Sequence, residues 1–244
     1  MPNICAIDFG VSNFAAVVCN DGSSMLYKGG AVLSECQWFH KKRAKAVSII
    51  TKGQEHMHAS SRYLSALSRH HADFIKDQCH KISRSIINYC IEHHASTLVL
   101  GENKRWKQDC DMGSQNNQNF VSMPTGLLKQ MIIYKASDAG IKIIMQEESY
   151  TSQADITAMD YIPVYGVDAE NAVFSGRRIS RSLYRCFNGM IINADCNGAA
   201  NIMRKAITDA WNSITDFSFL ASPEVSGFHE LNPLSISVKG IAAA

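Results

Sequence analysis

A chain of 244 residues with 46% hydrophobic content is long enough to bury one sizeable core with insertions, and a net charge of +2 singles out no partner. No apolar run approaches the ~18 residues of a membrane span, and with a first strand at residue 3 no secretion signal is expected, so the expectation is a cytoplasmic setting. The eight cysteines are scattered and form no C-x-x-C pair, which points to reduced thiols and away from a disulfide framework or a zinc knuckle.

The first strand, Asn3 to Gly10, carries a small and apolar run into Asp8 and then a glycine. A carboxylate at the end of a buried strand must be hydrogen-bonded, paired or bound to a metal, because an unpaired buried charge costs several kcal/mol. Capping of the following turn is the simpler role for Asp8, and its partners decide between the two. Phe14 to Cys19 and Met25 to Lys28 read as two further strands around the tight turn Asn20-Asp21-Gly22, which makes the opening an antiparallel meander.

From residue 31 to 94 the spacing turns helical. Between residues 41 and 107 thirteen Lys and Arg face five acids. Arg62, Arg69, Lys76, Lys81 and Arg84 fall largely off the apolar stripe of this segment, and both a solvated helix face and a phosphate-tracking surface fit that pattern. The histidines at 56, 58, 70, 71, 93 and 94 have no familiar ligand spacing and read as surface residues.

Ser96 to Asn103 repeats the arrangement of the first strand, an apolar run ending in the acid Glu102. Two such acids at one sheet edge repel and call for a cation or a shared proton. Residues 104 to 119 read as a loop containing Lys104 and Arg105, and Pro124 to Ser137 as a helix leading into the strand Ile141 to Met145, a parallel crossover. Residues 149 to 190 look like an insert. It carries Arg177, Arg178, Arg181 and Arg185 between Phe174 and Tyr184, a composition that suits phosphate contacts and base stacking as well as it suits a solvated hairpin. A third acid, Asp195, stands in the first turn of a helix whose Gly198, Ala199 and Ala200 permit close packing on the sheet; Asn197 and Asn201 share a face and are placed to orient carboxylates or touch substrate. The domain reading is one core over 1–210 followed by a loosely structured tail, 211–244.

An acid ending the first strand of a meander, an acid ending the next parallel strand and an acid on a later helix form the layout of a ribonuclease-H-like fold. The stretches Ile7 to Val18, Leu98 to Gln108, Gln146 to Ala154, Phe174 to Arg185 and Ile192 to Ala206 resemble the RuvC-like nuclease half of TnpB, the transposon-encoded relative of type V CRISPR effectors. The resemblance implies an α/β fold with a mixed five-stranded sheet, a helical insertion and a basic insert before the last core helix. It also implies a DNA endonuclease in which Asp8, Glu102 and Asp195 hold two Mg2+ or Mn2+ ions ~3.5–4 Å apart, with Asn197 and Asn201 in support. DNA and a guide RNA are the implied partners, and the bacterial or archaeal nucleoid the implied location. Many relatives carry four zinc-binding cysteines where this chain has only Cys186, so a zinc-free insert is expected. Relatives also begin with a wedge and recognition region that grips guide and target, and a chain of this extent is expected to lack guidance of its own. Two rival expectations remain: a nucleic-acid-binding remnant that does not cut, and an actin-like ATPase, whose first phosphate loop Asp8 to Asn13 also resembles.

Overall fold

A computed structural model of the chain describes residues 2–52, 58–102, 123–167 and 172–232. Strands β1 (Asn3–Asp8), β2 (Asn13–Cys19) and β3 (Ser23–Lys28) form the expected meander. Gly22 takes the left-handed conformation (φ 94°) that its tight turn requires. Helices α1 (Gly30–Thr51) and α2 (Arg62–Glu92) follow, then β4 (Ala95–Glu102), α3 (Thr125–Asp138) and β5 (Lys142–Glu147). Strands β4 and β5 both run parallel to β1, as a strand–helix–strand crossover demands.

The alternation of side chains along these strands sets the layers. Cys5 and Ile7 of β1, with Leu98 and Leu100 of β4, face one core built with α1, α2 and α3; Ala6 and Val99 face a second core on the other side of the sheet. That second core is closed by helix α4 (Ala194–Ala206), whose Ala199, Ala200, Ile202 and Met203 are buried against the strands. A sheet covered on both faces explains why its central strands are apolar throughout rather than alternating.

Helix α2 has 31 residues, about 46 Å at 1.5 Å per residue, whereas the eight residues of β4 span roughly 27 Å. Its C-terminal half lies on the sheet through Ile75, Cys79, Ile82, Ile86 and Cys90, and Asn3 Nδ2 fixes that end by donating to the His93 carbonyl (2.7 Å). Its N-terminal half overshoots and packs on α1, with the His71 ring stacked on Phe39 at 4.1 Å. The two helices therefore form an arm projecting past the edge at which β1 and β4 end. Among the described residues, no helix is long and apolar enough to cross a membrane, and every cysteine is free.

The sheet has six strands, one more than expected. The sixth is β9 (Glu224–Ser226), which comes from the segment that the sequence suggested was loose and pairs in parallel with β3. Trp211 is buried beside Phe217 and donates from Nε1 to the Ala200 carbonyl (3.1 Å), while Ser24 Oγ bonds the Phe219 carbonyl (2.8 Å). A short helix, α5 (Phe228–Leu231), ends the described chain. The sequence signal was masked by two prolines and by strands of only three residues. Replacing Trp211 by Ala is expected to cost about 3–5 kcal/mol, which thermal unfolding would record as a fall of roughly 10 °C in Tm; an unchanged Tm would show that the segment does not support the fold.

Candidate functional site

Where β1, β5 and α4 converge, Asp8 lies within the electrostatic reach of two further acids, Glu148 and Asp195. Asp8 has the same facing as Ala6, so it points from the end of β1 towards α4. Helix α4 begins with Asn193, whose side-chain oxygen caps the backbone N–H groups of Asp195 (3.0 Å) and Cys196 (3.1 Å). Because Asn193 caps the helix, the carboxylate of Asp195 in the first turn is left for other partners. Gly198 lies one turn on, and a Cβ there would come within 2.6 Å of Asp8 Oδ2, so only glycine lets α4 approach the acid this closely.

The third acid at this place is Glu148, just past the end of β5, and not Glu102. Ile7 pairs with Leu100, which puts Gly101 level with Asp8 and on its face. Glu102 is one residue on and falls on the opposite face, paired with Glu147. The space that a side chain at 101 would fill is taken by the Glu148 carboxylate, into which a Cβ built on Gly101 would collide. Glu102 acts electrostatically on Glu148 and Lys129, while the largest acidic contributions at Asp8 come from Glu148 and Asp195.

Burial pushes the Asp8 carboxyl well above the usual carboxylate range, and the charges of Glu148 and Asp195 push it further, against Arg178 and Lys129. Glu148 is raised by burial, with Lys129 opposing and Glu147 and Glu102 adding to the rise. Lys129 on α3 bonds the Gly101 carbonyl and lies 4.8 Å from the centre of the Phe9 ring; burial lowers its pKa against the pull of Glu148, Glu102 and Asp8. Asp195 accepts from Arg178 at Oδ1 (2.9 Å) and from Asn13 Nδ2 at Oδ2 (2.7 Å), and Lys28 Nζ donates in turn to Asn13 Oδ1 (2.9 Å). Among the described residues, no three acidic, histidine or cysteine side chains stand close enough together to chelate an ion.

The OrfB_IS605 family model, described as "Probable transposase", matches residues 3–107, and the "Cas12f1-like, TNB domain" model matches residues 126–202. A "TnpB-like protein ORF457" of Acidianus two-tailed virus is 25% identical over 86% of this chain. The chain is similar in sequence to TnpB-like proteins. A "CRISPR-associated endodeoxyribonuclease Cas12f1" of Sulfoacidibacillus thermotolerans is 32% identical over 54% of it. The chain spans less than half of these relatives, 43% and 27% of their respective lengths. In fold it resembles the solved "Cas12f1-sgRNA-target DNA complex" (TM-score 0.57, 16% identity, covering 82% of this chain and 49% of that one) and a "CRISPR-Cas12f Ternary Complex" (0.53, 17%, 82% and 38%).

The insert is built on a three-stranded sheet of β6 (Arg177–Arg178), β7 (Leu183–Arg185) and β8 (Ile191–Asn193). Two buried aspartates clasp it. Asp160 accepts from Ser175 N (2.8 Å) and Ser175 Oγ (2.6 Å) before the hairpin, and Asp155 accepts from Phe187 N (2.6 Å) after it. Asn197 and Asn201 are fully buried and do not touch the acids: both donate to the Ala154 carbonyl (2.8 and 2.7 Å), and Asn201 also donates to the Thr151 carbonyl (3.0 Å). They thus hold the turn that leads out of Glu148. Tyr184, expected as a stacking surface, is buried with its hydroxyl on the Gln153 carbonyl (2.7 Å); the exposed aromatic beside the arginines is Phe187. On the outer face Arg177 pairs directly with Arg185, and Arg181 lies exposed in the turn.

The cations of α2 lie across the sheet from Asp195. Lys81 is bonded to Asp77 (2.6 Å) and Asn232 (2.5 Å); Arg69, Lys76 and Arg84 are exposed along the helix, and Arg62 stands at its start in the projecting arm. Lys104 and Arg105 lie outside the described residues. Sequence reading missed Glu148, Lys129, Asn13 and Lys28. A signal for Glu148 was present, because Lys142 to Glu148 is a third strand running into acids.

With its folded pKa raised above the unfolded value, Asp8 binds more protons in the native state. Its stabilising effect is therefore complete below the unfolded pKa and is lost as pH rises through the folded one. Asp8→Asn is expected to raise the metal-free Tm at neutral pH by at least about 2–4 °C, and to give no gain below about pH 4. Thermal unfolding in chelator at both pH values tests this; a fall in Tm at neutral pH would show that Asp8 is not under repulsion.

Proposed function

We propose that the chain is the nuclease portion of a TnpB-type protein, with a ribonuclease-H-like core that hydrolyses DNA phosphodiester bonds at Asp8, Glu148 and Asp195. The observation that carries this reading is the convergence of three acids, from segments far apart in sequence, at one edge of an otherwise apolar sheet. Such crowding is unfavourable unless a cation compensates it, and a set of only carboxylate oxygens fits magnesium or manganese. Two such ions, when bound, activate the attacking water and stabilise the leaving 3′ oxygen.

The protein's own groups supply the rest. Asn13 orients Asp195, Gly198 admits Asp8 to the helix terminus, and the Asn197 and Asn201 bonds fix the turn carrying Glu148. The Arg177–Arg185 pair sets two like charges directly opposite each other, an arrangement that a polyanion relieves. The projecting α1–α2 arm adds exposed Lys41, Lys42, Arg43 and Lys45 beyond the acid-bearing edge. A relative is named as a CRISPR-associated endodeoxyribonuclease, and a structural neighbour was solved with guide RNA and target DNA, which supports a transposon-associated, RNA-guided setting.

The test is magnesium-dependent cleavage of single-stranded DNA. Asp8→Asn, Glu148→Gln and Asp195→Asn are each expected to lower the rate by at least about 10³-fold, whereas Glu102→Gln stays within a few-fold of the parent. Loss in Glu102→Gln with retention in Glu148→Gln would return the third position to Glu102. Salt-sensitive DNA binding without cleavage under any divalent metal would favour the binding-only remnant.

A further inference from the structure

The arginines of the β6–β7 hairpin do not share one role. Arg177 pairs with Arg185 on the outer face, but Arg178 pairs with Tyr184, whose side chain is fully buried, and so Arg178 lies on the inward face. From there its guanidinium reaches Asp195 Oδ1 at 2.9 Å, while Asn13 holds Oδ2, and its charge also acts on Asp8. The pair is partly open to solvent, with side-chain exposures of 45% for Arg178 and 24% for Asp195. An ion pair this exposed contributes only about 0–1 kcal/mol, so a stronger ligand on either side exchanges it. A phosphodiester offers the guanidinium the same forked acceptor geometry as a carboxylate, and a divalent ion offers Asp195 a higher charge than arginine does.

We propose that Arg178 is a counter-ion latch: without nucleic acid it occupies Asp195 in place of a metal ion, and a phosphate of the DNA backbone draws it away and opens Asp195 to the metal. This rests on the assignment of Asp8, Glu148 and Asp195 as the metal-holding acids. Metal and DNA binding are then coupled through one side chain, and the hairpin, held at both ends by Asp155 and Asp160, sets the distance over which it acts.

The test is a Mn2+ titration of the full chain, read as free Mn2+ by electron paramagnetic resonance, with and without a short single-stranded oligodeoxynucleotide whose own Mn2+ uptake is subtracted. In the parent protein, DNA is expected to tighten Mn2+ binding. Arg178→Gln is expected to bind Mn2+ about 3- to 5-fold more tightly than the parent without DNA, the equivalent of one exposed ion pair, and to gain nothing further when DNA is added. Unchanged Mn2+ affinity in Arg178→Gln, with binding abolished by Asp195→Asn, would overturn the latch and leave the metal assignment standing. Parent-level Mn2+ binding in Asp195→Asn, or no Mn2+ binding by the parent either with or without DNA, would overturn both.

Discussion

The burial of Asp8 at the end of an apolar strand, under the charges of Glu148 and Asp195, is the constraint around which the rest of this fold is arranged. An apolar sheet buried on both faces gives these acids a setting in which each charge is expensive, and burial is the largest force raising the carboxyls of both Asp8 and Glu148. The surrounding structure holds them together despite this cost. Gly198 removes the side chain that would separate helix from acid, Gly101 leaves room for a carboxylate delivered from the neighbouring strand, and Lys129 and Arg178 supply the positive charge. Crowding buried carboxyls in this way costs stability, a cost that the proposed divalent cation would offset.

The insert shows how a small segment is fixed without cysteines. It is too short to build a core of its own, and Asp155 and Asp160 tie the two ends of its hairpin to one turn. Arg204 and Lys205 of α4 fasten the same turn region through the Asp160 (2.6 Å), Ser149 (3.0 Å) and Pro163 (3.0 Å) carbonyls. The consequence is functional as well as structural. One helix carries Asp195, anchors the turn behind Glu148 and seats the hairpin that brings Arg178 to the acids.

Much of this was legible in the sequence because it depends on local pattern. Apolar runs ending in acids identified the strands, the turn at Asn20 to Gly22 fixed the meander, and three small residues in sequence announced the close helix–sheet contact. What escaped depended on facing and on long-range pairing. Glu102 and Asp8 end similar strands, but a one-residue difference in register turns them to opposite faces, and that offset is visible only once Ile7 is known to pair with Leu100. Asn197 and Asn201 were correctly seen to share a helix face, yet that face meets the backbone of the insert rather than the carboxylates. Strand β9 is too short to carry a period; it pairs with β3 after a segment whose Trp211 and Phe217 join the core on the α4 face.

The central claim is that Asp8, Glu148 and Asp195 together form a cation site. Anomalous diffraction from crystals of the protein grown with Mn2+ addresses it most directly. The account predicts an anomalous peak bounded by oxygens of these three residues, with Glu102 outside its coordination shell; a peak on Glu102 that excludes Glu148, or Mn2+ bound only elsewhere on the protein, would contradict it.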